Sequence, residues 1–366
     1  MALPRSTYVK DGQEGVFHCF ARCVRRAFLY GSDPVTGRDF SHRKVWIVDR
    51  LRYLAAVFAI EVCAYAIMEN HYHTVLRTRP DIVASWSDRE VATRWLTLFP
   101  RSNGLKGVTG PPTEMQICAI TNCPERIIEL RQRLSSLSWF MGRLNEFIAR
   151  AANKEDNVKG RFWESRFKCQ ALLDEAAIAA CMVYVDLNPI RAGQALTPEG
   201  SNFTSIQERI RAWQRESMTT VSVSTKAPKD IHSEADGETS GPIPERISAT
   251  DISPADWLCA ISSEPHRRGV VKMTAAEYFR LVDISGRMTR SNKRGVIEAD
   301  LEPILLRISA RPEAWIETIS HFGDKFHLAA GLVSSLRNFA NQLGRRWLSG
   351  LAVAQSAFTS SPPQLS

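Results

Sequence analysis

Two histidines, His71 and His73, stand one residue apart after an apolar run, CAYAIM, in the stretch EVCAYAIMENHYHTVLRTRPD (61–81). Side chains alternate between the two faces of a strand, so both imidazoles are expected on one face, with Tyr72 on the other. Two imidazoles on one face can share a divalent ion, although a third ligand is needed to complete the site. The alternative is that two partly exposed histidines simply end a strand.

A tyrosine and an asparagine in the stretch CMVYVDLNPIRAG (181–193) could complete such a site. Helical geometry places Tyr184 and Asn188 on the same face, one turn apart, and Pro189 is expected to end the helix after Asn188. The phenolate of Tyr184 could attack phosphorus, and the amide oxygen of Asn188 could be the third metal ligand. The alternative is that Tyr184 only packs at the end of a helix.

Basic and aromatic residues alternate in the stretch NVKGRFWESRFKCQ (157–170). Basic side chains bind phosphate, and aromatic rings stack on unpaired bases. The predicted nucleic-acid contacts are Arg161, Trp163, Arg166 and Lys168 here, with Arg22, Arg25 and Arg26 after the first strand. The alternatives are an ordinary strand with outward charges and a solvated basic turn. A net charge of +8 also favours an anionic partner, of which nucleic acid is the usual one.

Eight predicted elements surround these residues. The predicted order is a strand over 15–22, a helix over 45–58, two strands within 62–77 that meet near 68–71, a helix within 80–98, a long amphipathic helix over 124–152, a strand over 162–172 and a helix over 174–187. The helix within 80–98 belongs to an inserted segment before the long helix, and without it the order is β-α-β-β-α-β-α. This order indicates an α+β ferredoxin-like fold, an antiparallel sheet with helices on one face.

Composition divides the 366 residues into three regions. Residues 1–200 carry the motifs above, and 201–250 are rich in Ser, Thr, Pro and acidic residues, which predicts a flexible linker. Residues 251–366 form a predicted helical, basic C-terminal domain, including an amphipathic helix over 332–350. Its basic helices could grip DNA or form a solvated face.

The sequence carries no apolar run long enough to span a bilayer, and its first residues lack the apolar core of a signal peptide. A cytoplasmic protein without a membrane partner is therefore expected. The eight cysteines have no zinc-binding spacing and are expected to be free thiols.

Together these motifs resemble those of the single-tyrosine transposases of the HUH superfamily, and most nearly the REP-associated tyrosine transposases. MENHYH resembles the family's histidine motif, and GRFWESRFKCQALLDE followed by YVDLNPIRAG resembles its second block in order and spacing. FHCFARCVRRAFL resembles its first strand and basic turn. The resemblance covers about residues 10–200. Glu69 departs from it, standing where many relatives carry proline, and is expected at the surface.

The resemblance implies an HUH endonuclease fold and a role for each matching residue. His71 and His73 would bind Mg²⁺ or Mn²⁺, with Asn188 where the family carries its third polar ligand. Tyr184 would attack single-stranded DNA, leaving a 3′-hydroxyl and a 5′-phosphotyrosine, and the reverse attack would rejoin strands.

The implied partner is single-stranded or hairpin DNA in the nucleoid, and a homodimer is left open because single-tyrosine relatives include dimers. A non-catalytic hairpin-binding protein on the same fold and a metallohydrolase unrelated to DNA are the alternative functions.

Overall fold

The computed structural model describes residues 4–24, 31–33, 37–100, 110–224, 257–263, 267–290 and 302–359. Within these ranges the chain is a mixed α+β protein. Its five strands are β1 (Gly15–Arg22), β2 (Ile60–Ile67), β3 (His71–Thr78), β4 (Lys168–Leu172) and β5 (Ala329–Ala330). Its helices are α1 (His42–Val57), α2 (Pro80–Ser85), α3 (Asp88–Leu98), α4 (Glu114–Thr121), α5 (Pro124–Leu134), α6 (Leu137–Glu155), α7 (Glu175–Asp186), α8 (Asn188–Arg191), α9 (Ser205–Ser224), α10 (Ala275–Arg290), α11 (Glu302–Arg307), α12 (Pro312–Ser320), α13 (Phe322–Lys325), α14 (Val333–Gln342) and α15 (Leu351–Ala357).

The strands form one sheet in the order β2-β3-β1-β4-β5. β1 lies in the middle and pairs antiparallel with both β3 and β4, and β2 pairs antiparallel with β3. β5 adds a short parallel edge beside β4. The predicted α+β class is confirmed, and the antiparallel order β2-β3-β1-β4 is compatible with the predicted ferredoxin-like arrangement.

Helices cover both faces of this sheet, so the prediction of helices on one face is wrong. On one face the hydroxyl of Tyr72 donates to Asn145 of α6 at 2.8 Å. On the other face the ring of His73 meets the ring of Tyr184 of α7, with centroids 5.7 Å apart. α7, EAAIAACMVYVD, is apolar nearly all round, and such a helix must be buried on every side. The sheet supplies one of its neighbours and the C-terminal helices supply the others.

The predicted long helix over 124–152 is two helices, α5 and α6, that break at two buried serines. The carbonyl of Leu134, at the end of α5, accepts from the backbone N–H of Ala59 at 2.9 Å. A contact between distant segments therefore satisfies a carbonyl that the end of α5 leaves without a partner inside the helix. No local sequence pattern predicts this break.

The helix predicted over 332–350 ends at Gln342, because Gly344 follows with a φ of +64°. A left-handed glycine after the last turn is a common helix stop. Similarly, the strand predicted over 162–172 contains only β4, and Trp163 makes a single isolated bridge to Cys23.

The predicted linker over 201–250 is wrong in its first part, where α9 runs from Ser205 to Ser224. Ile206 and Ile210 stand one turn apart and are both buried, which anchors the first half of this helix. The remainder of the predicted linker, 225–250, lies outside the described residues.

The C-terminal segment packs against the N-terminal half of the chain, with its helices on α7 and β5 at the edge of the sheet. The buried hydroxyl of Tyr278 in α10 donates to Asp186 at the end of α7, at 2.6 Å. Gln170 of β4 donates to the carbonyl of Phe326, which directly follows α13. Buried apolar residues of both halves form one hydrophobic cluster. The division into three domains stays a prediction.

All eight cysteines are free, as expected. Within the described residues, no helix is both long and apolar enough to cross a membrane.

Candidate active site

The two predicted histidines lie on one face of β3, as the strand period predicts. His71 stands opposite Arg22 of β1, and His73 stands opposite Phe20. The centroids of the two imidazoles are 5.0 Å apart. Tyr72 is fully buried on the other face.

A third histidine, His18 of β1, joins them through a chain of hydrogen bonds. His18 Nε2 lies 2.9 Å from His73 Nδ1, and His18 Nδ1 lies 3.3 Å from Gln170 Oε1. Since Gln170 uses its Nε2 to donate to Phe326, its Oε1 is the accepting end and His18 Nδ1 carries the proton. His18 Nε2 is then an acceptor, and His73 Nδ1 must donate to it.

This chain sets the tautomer of His73. With its proton on Nδ1, His73 presents a lone pair on Nε2. His71 also carries its proton on Nδ1 and a lone pair on Nε2, because its Nδ1 lies 2.8 Å from Asn70 Oδ1, an acceptor. Each imidazole therefore has the arrangement that is usual for a metal ligand, with one nitrogen held by a second group and the other left for the ion.

Burial keeps all three imidazoles neutral at neutral pH. It lowers the pKa of His18 to about 4. It also lowers the pKa of His71 to about 4, with a further contribution from the charge of Arg22. The pKa of His73 is well below its ordinary value, mainly through burial and then through His71 and His18. Neutral imidazole is the form that binds a metal ion.

Tyr184 of α7 lies against this histidine cluster. Its ring meets that of His18 edge-on, with centroids 5.9 Å apart, as it also meets His73. Burial raises the pKa of Tyr184, and the guanidinium of Arg191, whose central carbon is 5.0 Å from the ring centroid, opposes this. The tyrosine thus has a cation beside it that favours the phenolate.

The side chain of Asn188 turns back toward the backbone of Tyr184. A helix break that the sequence does not predict lies between the two residues. α7 ends at Asp186, and Pro189 falls in the first turn of α8, where its missing N–H is not needed. Helical structure therefore resumes at the position where Pro189 was expected to end it. The Nδ2 of Asn188 donates to the carbonyl of Tyr184 at 3.0 Å. A second bond, to the carbonyl of Val185 at 3.4 Å, holds the Asn188 amide against the backbone of α7.

The C-terminal segment forms the remaining wall around the tyrosine. The ring centroid of Phe322 lies 5.8 Å from that of Tyr184. A methyl group added at Gly323 would lie 2.8 Å from the Tyr184 hydroxyl oxygen, so glycine allows the α13 backbone to approach the hydroxyl closely. The sequence motifs contain no sign of this contact, which joins positions far apart in the chain.

The donor set fits a divalent ion only in part. Among the described residues no group of three His, Cys, Asp or Glu side chains could hold a metal. His71 Nε2 and His73 Nε2 offer two nitrogens, leaving several positions for other donors, water or phosphate oxygens. An incomplete protein shell is usual for ions that also bind a substrate phosphate. Glu69 does not contribute, because Lys44 binds its carboxylate at 2.7 Å.

The predicted nucleic-acid contacts divide between the two faces. Arg22 lies beside His71, and Lys168 extends over the ring of Phe20, 5.7 Å from its centroid, on the histidine face. Arg166 is exposed just before β4, and Arg161 is exposed in the loop before it. Arg25 and Arg26 lie outside the described residues.

Trp163 is not brought to the histidines. Its indole N–H donates to the carbonyl of Asn145 at 2.9 Å, and its ring packs edge-on against Tyr72, on the opposite face of the sheet. Three residues outside the predicted set lie at the observed site: His18, Gln170 and Arg191. The alternation of His18 with Val16 and Phe20 and the position of Arg191 in NPIRAG were the available signals.

Comparisons with known proteins give little independent support. No family model matches the chain, and no curated protein matches it. A solved structure of the REP-associated tyrosine transposase bound to a REP hairpin aligns with 66% of this chain and 100% of its own, at 11% identity and a TM-score of 0.30. At this TM-score and identity the likeness supports no function for this chain.

Proposed function

We propose that this protein is an HUH-type, REP-associated-like tyrosine transposase that nicks and rejoins single-stranded DNA, with hairpin DNA as its ligand. The observation that carries the proposal is the packing of Tyr184 against His73, with His71 beside His73 on the same sheet face, where the tautomers leave both Nε2 atoms for a metal. The sequence motifs around these residues support the same class.

In the proposed reaction Tyr184 is the nucleophile. Its hydroxyl oxygen attacks the scissile phosphorus, the bond from phosphorus to the 3′ oxygen breaks, and the leaving oxygen takes up a proton as a 3′-hydroxyl. The product is a 5′-phosphotyrosine, and attack by a DNA 3′-hydroxyl reverses the step. The charge of Arg191 favours the phenolate of Tyr184.

His71, His73 and Asn188 would hold Mg²⁺ or Mn²⁺. When bound, this ion would supply Lewis-acid polarisation of the scissile phosphate. His18 and Gln170 would act as positioning residues, because they fix the tautomer of His73. Arg22, Arg166 and Lys168 would orient the strand through its phosphates.

A covalent-trapping assay tests this proposal. The protein is incubated with 3′-labelled hairpin oligonucleotides that carry single-stranded flanks, with Mn²⁺ or Mg²⁺, and resolved on a denaturing gel. We expect a denaturant-resistant adduct that disappears with a chelator and in Tyr184→Phe, while Tyr184→Phe binds the same DNA within about twofold. Tyr53→Phe, which changes a tyrosine outside the site, is the matched control and should form the adduct.

Two outcomes would contradict the proposal. An adduct that persists in Tyr184→Phe would exclude this tyrosine as the nucleophile. DNA binding without an adduct, across a pool of flanking sequences, would favour the non-catalytic hairpin-binding protein.

A further inference from the structure

A cavity of about 1010 Å³ opens beside the candidate active site. It lies between the N-terminal residues, the start of β4 and the C-terminal segment. Four cationic side chains line it, Arg5, Arg166, Lys168 and Arg345, and its described lining includes no Asp or Glu. Over the whole chain 47 basic residues are nearly balanced by 39 acidic ones, so this wall is a local excess of positive charge.

Most of these cations are available to a ligand. Arg166, Lys168 and Arg345 are exposed, and within the described part of the chain none of them forms a salt bridge. Arg5 differs, because its guanidinium stacks on the ring of Phe167 at 3.4 Å and donates to the Phe167 carbonyl. Such a wall attracts a chain of phosphates more than it attracts an apolar ligand.

One end of the cavity reaches the candidate catalytic residues. His18 and Gly323 are both part of its lining. His18 contacts His73, and Gly323 lies against the Tyr184 hydroxyl. A DNA strand whose scissile phosphate reached Tyr184 would therefore place its neighbouring nucleotides in this cavity.

An exposed tryptophan lies in a loop that borders the cavity. Arg345 and Ser349 line the cavity, and Trp347, midway between them in the loop after α14, is 68% exposed. Its neighbour Leu348 is buried, which anchors the loop and holds the indole outward. An exposed indole beside a basic groove is a platform on which an unpaired base can stack.

We infer that this cavity binds the unpaired DNA next to the scissile phosphate, with Arg166, Lys168 and Arg345 on phosphates and Trp347 stacked on a base. Double-stranded DNA would not satisfy it, since paired bases keep their faces within the stack. The identity of the ligand rests on the proposed function, whereas the charge and the tryptophan are features of the cavity itself. The inference gives the C-terminal segment a direct part in substrate binding.

Binding measured without cleavage tests this inference. Fluorescence anisotropy is recorded with the full chain in chelator, using a hairpin that carries a single-stranded extension and the same hairpin with a blunt end. The wild type should bind the extended hairpin more tightly. Trp347→Ala should weaken that binding roughly 5- to 150-fold, the range expected for one stacked base, and leave the blunt hairpin unaffected.

Further variants separate the contacts. Arg345→Gln should reduce the slope of log affinity against log salt by about 0.7, the value for one phosphate contact on a single strand. Trp347→Phe should retain most of the affinity, which distinguishes loss of stacking from loss of structure. Trp213→Ala removes another exposed tryptophan, on α9, and Arg150→Gln removes an exposed arginine of α6. Both are matched controls and should bind like the wild type.

The outcomes distinguish this inference from the proposed chemistry. Unchanged affinity of Trp347→Ala and Arg345→Gln for the extended hairpin would overturn it, as would an equal loss for the blunt hairpin or a preference for an RNA extension. The protein could show extension-dependent binding that needs Trp347 and yet form no covalent adduct in the trapping assay. That result would uphold this inference and refute the role of Tyr184 as a nucleophile.

Discussion

The contact between Tyr278 and Asp186 offers a sharp test of how the C-terminal segment is attached. Both side chains are fully buried, and the Tyr278 hydroxyl donates to Asp186 Oδ2 at 2.6 Å. The other oxygen of Asp186 accepts from Ser205 and from the backbone of Ile206. One carboxylate therefore joins α7, α9 and α10, two residues beyond Tyr184.

The magnitude follows from the charge of the acceptor. Burial raises the pKa of Asp186 to about 6, so at pH 8 the carboxylate is ionised. A hydrogen bond to a charged group contributes about 1.5–3 kcal/mol, and Tyr278→Phe should lower the free energy of unfolding by that amount at pH 8.

Urea unfolding followed by tryptophan fluorescence measures this loss. The slope of the unfolding free energy against urea concentration should be the same for the variant and the wild type. Tyr53→Phe is the matched control, because the Tyr53 hydroxyl donates to the neutral carbonyl of Thr97 at a partly exposed position. Its expected cost is about 0.5–1.5 kcal/mol. A Tyr278→Phe protein within about 0.5 kcal/mol of the wild type would refute the reasoning that this buried contact fastens α10 to α7.

Two further predictions concern the geometry of the site. Gly323→Ala should displace the Tyr184 hydroxyl and slow adduct formation by about 100-fold, because a catalytic group misplaced by about an ångström loses a rate factor of that size. The affinity for DNA should stay within about twofold of the wild type. An unchanged single-turnover rate of adduct formation would contradict this prediction. His73→Ala should cost about 1–3 kcal/mol more unfolding free energy than His71→Ala, because it leaves the buried His18 without its partner, and both should lose metal-dependent adduct formation. Equal stability of the two variants in urea would count against the proposed hydrogen-bond chain.

Local patterns were enough to predict the elements that carry the site. The bounds of β1 agree with the prediction, and β2 and β3 meet near 68–71, as expected. The shared face of His71 and His73 follows from the two-residue period of a strand, which depends on the backbone alone. α7 was predicted within one residue at each end, because Asp174 caps its first turn.

Other features depended on contacts between residues far apart in the chain. The split between α5 and α6 follows a hydrogen bond from Ala59 to Leu134, and Trp163 reaches the far face because Cys23 and Asn145 bind its backbone and indole. The basic and aromatic pattern around Trp163 is the same whichever face the ring occupies. Sequence spacing could therefore suggest its chemistry but not its location.

The sequence by itself determined which side chains were available: two histidines on one strand face, and a tyrosine with an asparagine four residues later. Tertiary structure decided what holds them. The register between β1, β3 and β4 places His18 between His73 and Gln170, and this sets the tautomer. The packing of α13 against Tyr184 encloses the hydroxyl. Strand period and helix capping are local and can be read from neighbouring residues, whereas register and packing are settled only when distant segments bury their apolar surfaces together.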